Sequence, residues 1–101
     1  MASQPVDQEV FPVNVIVRTV THYYVGEVQN PENWSEGAGY PGWLRLTKCS
    51  WVAYTGRWHV ALRDGTLSEV EPYPPEDTVL INLGAVVDIA PWHHELPTNA
   101  K

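Results

Sequence analysis

Residues 43–62 read WLRLTKCSWVAYTGRWHVAL, and this stretch decides the fold. Its first twelve residues place Leu44, Leu46 and Val52 at apolar positions, with Arg45 and Thr47 between them. That alternation is the period of a strand. The phase slips around Cys49–Ser50, so a bulge is expected there. The remaining residues change period. Trp58, Ala61 and Leu62 stand at i, i+3 and i+4 and form one apolar face of a short helix, with His59 and Arg63 on the other side. Thr55 is the expected N-cap and Gly65 the expected stop. A helix this short needs tertiary packing to exist.

On the N-terminal side, VNVIVRTV (13–20) alternates and is rich in β-branched residues, which predicts a strand. Thr21 and His22 form the expected turn into a second strand, YYVGEV, where Gly26 marks a bend or a close backbone approach. Residues 30–42, NPENWSEGAGYPG, read as a long loop carrying Trp34 and Tyr40. On the C-terminal side, LSEVEPYPPED is a short extended segment whose prolines exclude a central strand. TVLINLGAVVDIAPW reads as two short strands or one sharply bent strand, with the bend at Leu83–Gly84. The expected architecture is therefore mainly β: a small, strongly bent five-stranded barrel with one short helix inserted after the third strand. The expected organisation is a flexible arm over 1–12, one domain over 13–92 and a polar, frayed tail over 93–101.

The 101 residues suit one small domain, which buries roughly two thirds of its unfolded surface. The chain is 44% hydrophobic and 18% charged, a globular balance. Twelve acidic and six basic residues leave a net charge of −6. Arg18, Arg45, Arg57 and Arg63 are scattered, so the clustered basic surface of a nucleic-acid binder is not visible. One cysteine forms no intramolecular disulfide, which agrees with a reducing compartment. The first residues lack a signal-peptide pattern, and no apolar run approaches the roughly 20 residues of a membrane span. A soluble, cytoplasmic protein is expected.

Two blocks carry a resemblance. VIVRTVTHYYVGEV followed by WLRLTKCS resembles the first half of an Sm-like domain, and VLINLGAVVDIAP resembles the second. The chain also resembles a group of small proteins of bacteria and their phages through RTVTHYYVGEV, SWVAYTGRWHVAL, EVEPYP, GAVVDIAPW and HHELP. That group brings no activity with it, and its helix-start motif carries Asp where this chain has Tyr54. The Sm-like resemblance implies a small SH3-like barrel, ring-shaped homo-oligomers and, in many members, RNA binding. Its RNA pocket uses an Arg-Gly pair in the second half, where this chain reads Asn82-Leu83-Gly84 without arginine. The other resemblance, to small proteins of bacteria and their phages, implies a phage-associated protein of an infected cell or of the virion.

Catalytic and metal motifs are not legible. There is no GxSxG, P-loop, HExxH or GxGxxG, and no cofactor is expected. His93 and His94 are adjacent and point to opposite faces of an extended segment, which does not suit one metal. Cys49 with His59 would be a nucleophile pair, but a buried strand cysteine explains the residue more simply. Glu69 and Glu71 share one face and read as a solvated edge. The remaining candidate is Tyr54 to His59. Tyr54, Arg57, Trp58 and His59 put an arginine among aromatics at a helix start, an arrangement suited to a small anionic ligand or a partner carboxylate. The competing reading packs Trp58 onto the barrel and pairs Arg57 with Asp64. Three functions follow: a non-enzymatic homo-oligomeric binding or structural protein, including a virion decoration protein; a binder of nucleotide-like ligands; and an RNA-binding ring. Tyr54, Arg57, Trp58, His59 and Asn82 are the candidate contact residues.

Overall fold

The computed structural model describes residues 13–29 and 42–101. The N-terminal arm expected over 1–12 and most of the loop expected over 30–42, including Trp34 and Tyr40, lie outside the described residues. The chain is mainly β, with β1 (Asn14–Thr19), β2 (Tyr23–Val28), β3 (Trp43–Tyr54), the helix α1 (Trp58–Asp64), β4 (Glu69–Pro72), β5 (Thr78–Asn82) and β6 (Val86–Pro91). A 3-10 turn, Leu83–Ala85, joins β5 to β6 at the expected bend. The strands pair antiparallel in the order β4-β3-β2-β1-β6, and β5 pairs with β3.

Six strands form where five are expected. The added one is β4, and its prolines do not prevent it because it lies at an edge. Val70 opposes Val52 on β3 and directs its own N–H and C=O outward, to Lys101. Pro72 is in phase with Val70, so its missing N–H also falls on the outer side. Ladder pairing carries the sheet from β3 to β5 and from β1 to β6. Between β5 and β6 the link is the covalent 3-10 turn, and among the described residues no ladder closes the sheet into a barrel.

β3 is the longest strand and serves two partners on one side. Its first half, Trp43 to Thr47, pairs with β5, and its second half, Ser50 to Tyr54, pairs with β4. Between them Lys48 takes φ 50°, a left-handed conformation, so the irregularity lies one residue before the expected Cys49–Ser50 slip. Opposite the bend, the register of β2 shifts between Val25 and Glu27. A Cβ at Gly26 would stand 3.1 Å from the Cys49 Cα and 3.1 Å from the Thr47 carbonyl oxygen, so any side chain there would crowd the β3 backbone.

Two apolar clusters occupy the two faces of the sheet. Val15 and Val17 join Val28, Leu44, Leu46, Cys49 and Ile81 on one face. Ile16, between them in sequence, joins Val25, Val52, Ala61, Leu67, Val70 and Trp92 on the other. β1 is therefore buried on both sides, which a simple alternation of buried and exposed residues does not describe. The second cluster is covered by α1, through Ala61, Trp58 and Leu62, and by the segment after β6, through Trp92 and Leu96.

That segment differs from the frayed tail expected of it. Trp92 is buried, and its indole N–H donates to the Glu95 carbonyl at 3.2 Å. The His94 Nε2 donates to the Leu62 carbonyl at 2.8 Å, which puts the ring beneath the end of α1. Lys101 exchanges two backbone hydrogen bonds with Val70, at 2.9 and 3.3 Å. Its composition is polar, but two apolar anchors are enough to hold it down.

Candidate functional site

Tyr54 ends β3 opposite Glu69 and is 57% exposed. Thr55 is buried, and its hydroxyl donates to the Gly56 carbonyl at 2.8 Å, so it does not cap the helix. The N-cap is Arg57, with extended backbone angles and no side-chain capping bond. Arg57 and His59 are exposed and flank Trp58 in sequence. Gly65 stops the helix as expected, at φ 78°, with its N–H on the Ala61 carbonyl.

Trp58 is the member of this group that the fold engages most. It stacks on Tyr23 of β2, with ring centroids 5.3 Å apart and planes 24° from parallel. The Arg18 guanidinium sits 5.6 Å from its ring centroid. Arg18 in turn donates from Nε to the Asp88 carboxylate at 3.2 Å, with a second bond from its terminal nitrogen. These bonds raise the Arg18 pKa above its ordinary value. The expected pairing of Arg57 with Asp64 is replaced by Arg63. Its guanidinium grips the Asp64 carboxylate at 2.9 and 3.1 Å and holds that group below the usual carboxylate range.

Asn82 stands apart from this group. Its side-chain oxygen accepts the Gly84 N–H at 2.8 Å and caps the 3-10 turn. It shares an outward sheet face with Trp43, its partner in the ladder, and with Leu80. Arg18 and Asp88 are missing from the expected site because they lie 70 residues apart. Only the β1–β6 pairing joins them, and no local pattern announces it.

Cys49 belongs to the first cluster, on the face of the sheet opposite α1 and His59. Burial pushes its thiol up to about 12, which suits an inert core residue and not a nucleophile. Among the described residues no three His, Cys, Asp or Glu side chains converge as metal ligands. At the start of β2, His22 lies between Tyr24, at 4.9 Å, and Trp51, at 5.2 Å. Its Nδ1 meets the Thr21 hydroxyl at 2.7 Å, while the buried Nε2 has no partner. Burial lowers the His22 pKa.

Two cavities flank the segment after β6. The larger, 570 Å³, opens beside the β3 bend, between Pro72–Pro75 and Glu95–Thr98. The smaller, 410 Å³, lies between that segment, the end of α1 and β4. Neither was legible in the sequence, because the walls of each come from stretches far apart in the chain.

Comparison with protein-family profiles, with curated proteins and with solved structures gives no match. Among the described residues no helix is long and apolar enough to cross a membrane.

Proposed function

We propose that this chain is a non-enzymatic, Sm-like small-barrel protein that works as a homo-oligomer, phage-associated, by binding or as a structural part. The observation that carries this reading is the pair of unpaired strand edges. β5 and β6 each use one edge for the ladder, and among the described residues the other edge has no partner. Leu80 on β5 and Val87 on β6 are 45% and 55% exposed. Apolar strands with free edges are templates for pairing with another chain. β4 is treated differently: Lys101 covers its outer edge and prolines follow it. Two available edges on one protomer, joined through the 3-10 turn, suit a head-to-tail contact that closes into a ring.

Size-exclusion chromatography with light scattering tests the proposal. The expected result is a discrete oligomer, converted to monomer by Leu80→Lys with Val87→Lys. A strict monomer at micromolar concentration overturns it.

A second reading, a nucleotide-like ligand at Tyr54 and Arg57, rests on the exposure of both residues beside the helix start. Thermal shifts against a nucleotide panel test it. A shift abolished by Arg57→Ala supports it, and no shift with any nucleotide removes it.

A further inference from the structure

The 570 Å³ cavity exists because β3 changes partner. β5 leaves it at Thr47 and β4 joins it at Ser50, with the left-handed Lys48 between. A non-glycine residue in that conformation is strained, and such strain persists only where the surroundings enforce it. Pro72, Tyr73 and Pro75 form one wall, and Leu96 and Pro97 form another. Both walls are fixed. The Tyr73 N–H donates to the Cys49 carbonyl at 2.9 Å, and Leu96 packs on the second cluster. The volume falls in the range of small-molecule sites, which are concave and apolar with a few polar groups that orient the ligand.

The charges at this cavity are Glu27, Lys48 and Glu95. Lys48 Nζ lies 3.5 Å from Glu27 Oε1, a largely exposed pair and therefore a weak one. Among the described residues Glu95 makes no ion pair. Two carboxylates against one ammonium leave the site negative, inside a chain of net charge −6. A cation is attracted by both the local and the long-range field. An aromatic wall at Tyr73 adds a further preference for a cationic group.

The geometry points to a binding site for a small amine: an apolar or aromatic body between the Tyr73 and Leu96 walls, with its ammonium on Glu95. This site is separate from the strand edges and from Arg57, and it favours the opposite charge from the nucleotide reading.

Tryptamine, tryptophol and indole-3-acetate share one ring body and differ in head-group charge. Each is titrated into the full chain, and backbone amide shifts are followed by NMR. Tryptamine is expected to saturate at millimolar concentration or below, with shifts centred on Tyr73, Leu96 and Thr98. It should bind several-fold more tightly than tryptophol, with indole-3-acetate weakest, and the difference should shrink at high salt. Glu95→Gln should bring tryptamine to the affinity of tryptophol, while Glu69→Gln, at the Tyr54 end of β4 and outside the cavity lining, leaves the ranking unchanged. Equal affinity for all three probes, shifts centred elsewhere, or no saturable shift at millimolar probe overturns the proposal. An unchanged tryptamine affinity in a folded Glu95→Gln variant also overturns it.

Discussion

Single residues in this protein are constrained by what lies across from them in space. Gly65 needs its αL conformation, and a Cβ there would stand 2.6 Å from the His94 ring. Gly65→Ala should therefore cost roughly 1–3 kcal/mol, measured by urea unfolding. Ser50 is fully buried and its hydroxyl has no partner. Removing an unsatisfied buried hydroxyl relieves a desolvation cost, so Ser50→Ala should leave stability within about 1 kcal/mol of the parent or raise it. His22 titrates with a definite sign. Its folded pKa is lowered by burial, so below the unfolded value of about 6.5 the unfolded chain binds more protons. Its contribution is complete above that pH and is lost as pH falls from there through the lower folded value. Stability measured between neutral and mildly acidic pH should fall less steeply in His22→Phe. Cys49 should resist thiol reagents in the native state and react only when the chain unfolds.

At the scale of elements, the two-period reading of residues 43–62 holds because side-chain periodicity is a local property. The strand, the apolar helix face and the Gly65 stop all appear where that reading places them. The N-cap is displaced because Gly56 takes a left-handed φ of 77° and the Thr55 hydroxyl donates to the Gly56 carbonyl, so the helix starts only at Trp58. The segment after β6 departs from what its composition suggests for a related reason. Composition marks it as polar, yet Trp92, His94 and Leu96 anchor it across α1 and the second cluster. Trp92→Ala should destabilise by about 3–5 kcal/mol in denaturant titration. The exposed Arg18–Asp88 pair is a different case, and Asp88→Asn should cost no more than about 1 kcal/mol.

For the molecule as a whole, β1 is the decisive strand. It pairs with β2 and β6 and supplies residues to both clusters: Val15 and Val17 to one, Ile16 to the other. The clusters cannot separate without dismantling that strand. Unfolding followed by tryptophan fluorescence and by far-UV circular dichroism should give one coincident transition. Two resolved transitions would show that the faces fold independently. Pairing β1 with β6 also joins distant parts of the chain, so folding in milliseconds to seconds is expected by stopped-flow fluorescence.

Much of the candidate site was beyond local reading. Tyr54, Arg57 and His59 stay exposed at the strand-to-helix junction where the sequence places them. Trp58 is instead held by Tyr23 and Arg18, and Asn82 is engaged by the 3-10 turn.

Spacing and residue type along the chain were enough to establish the mainly β character, the positions of every strand except the edge strand β4, the short helix and the bend at Leu83–Gly84. Those features depend on neighbours a few residues apart. Tertiary structure alone decided which edges pair, that both faces of β1 are buried, that Arg18 meets Asp88 over Trp58, and that a cavity opens where β3 changes partners. Each of these joins segments tens of residues apart, and chain entropy, packing and charge settle such contacts only when the whole chain is assembled.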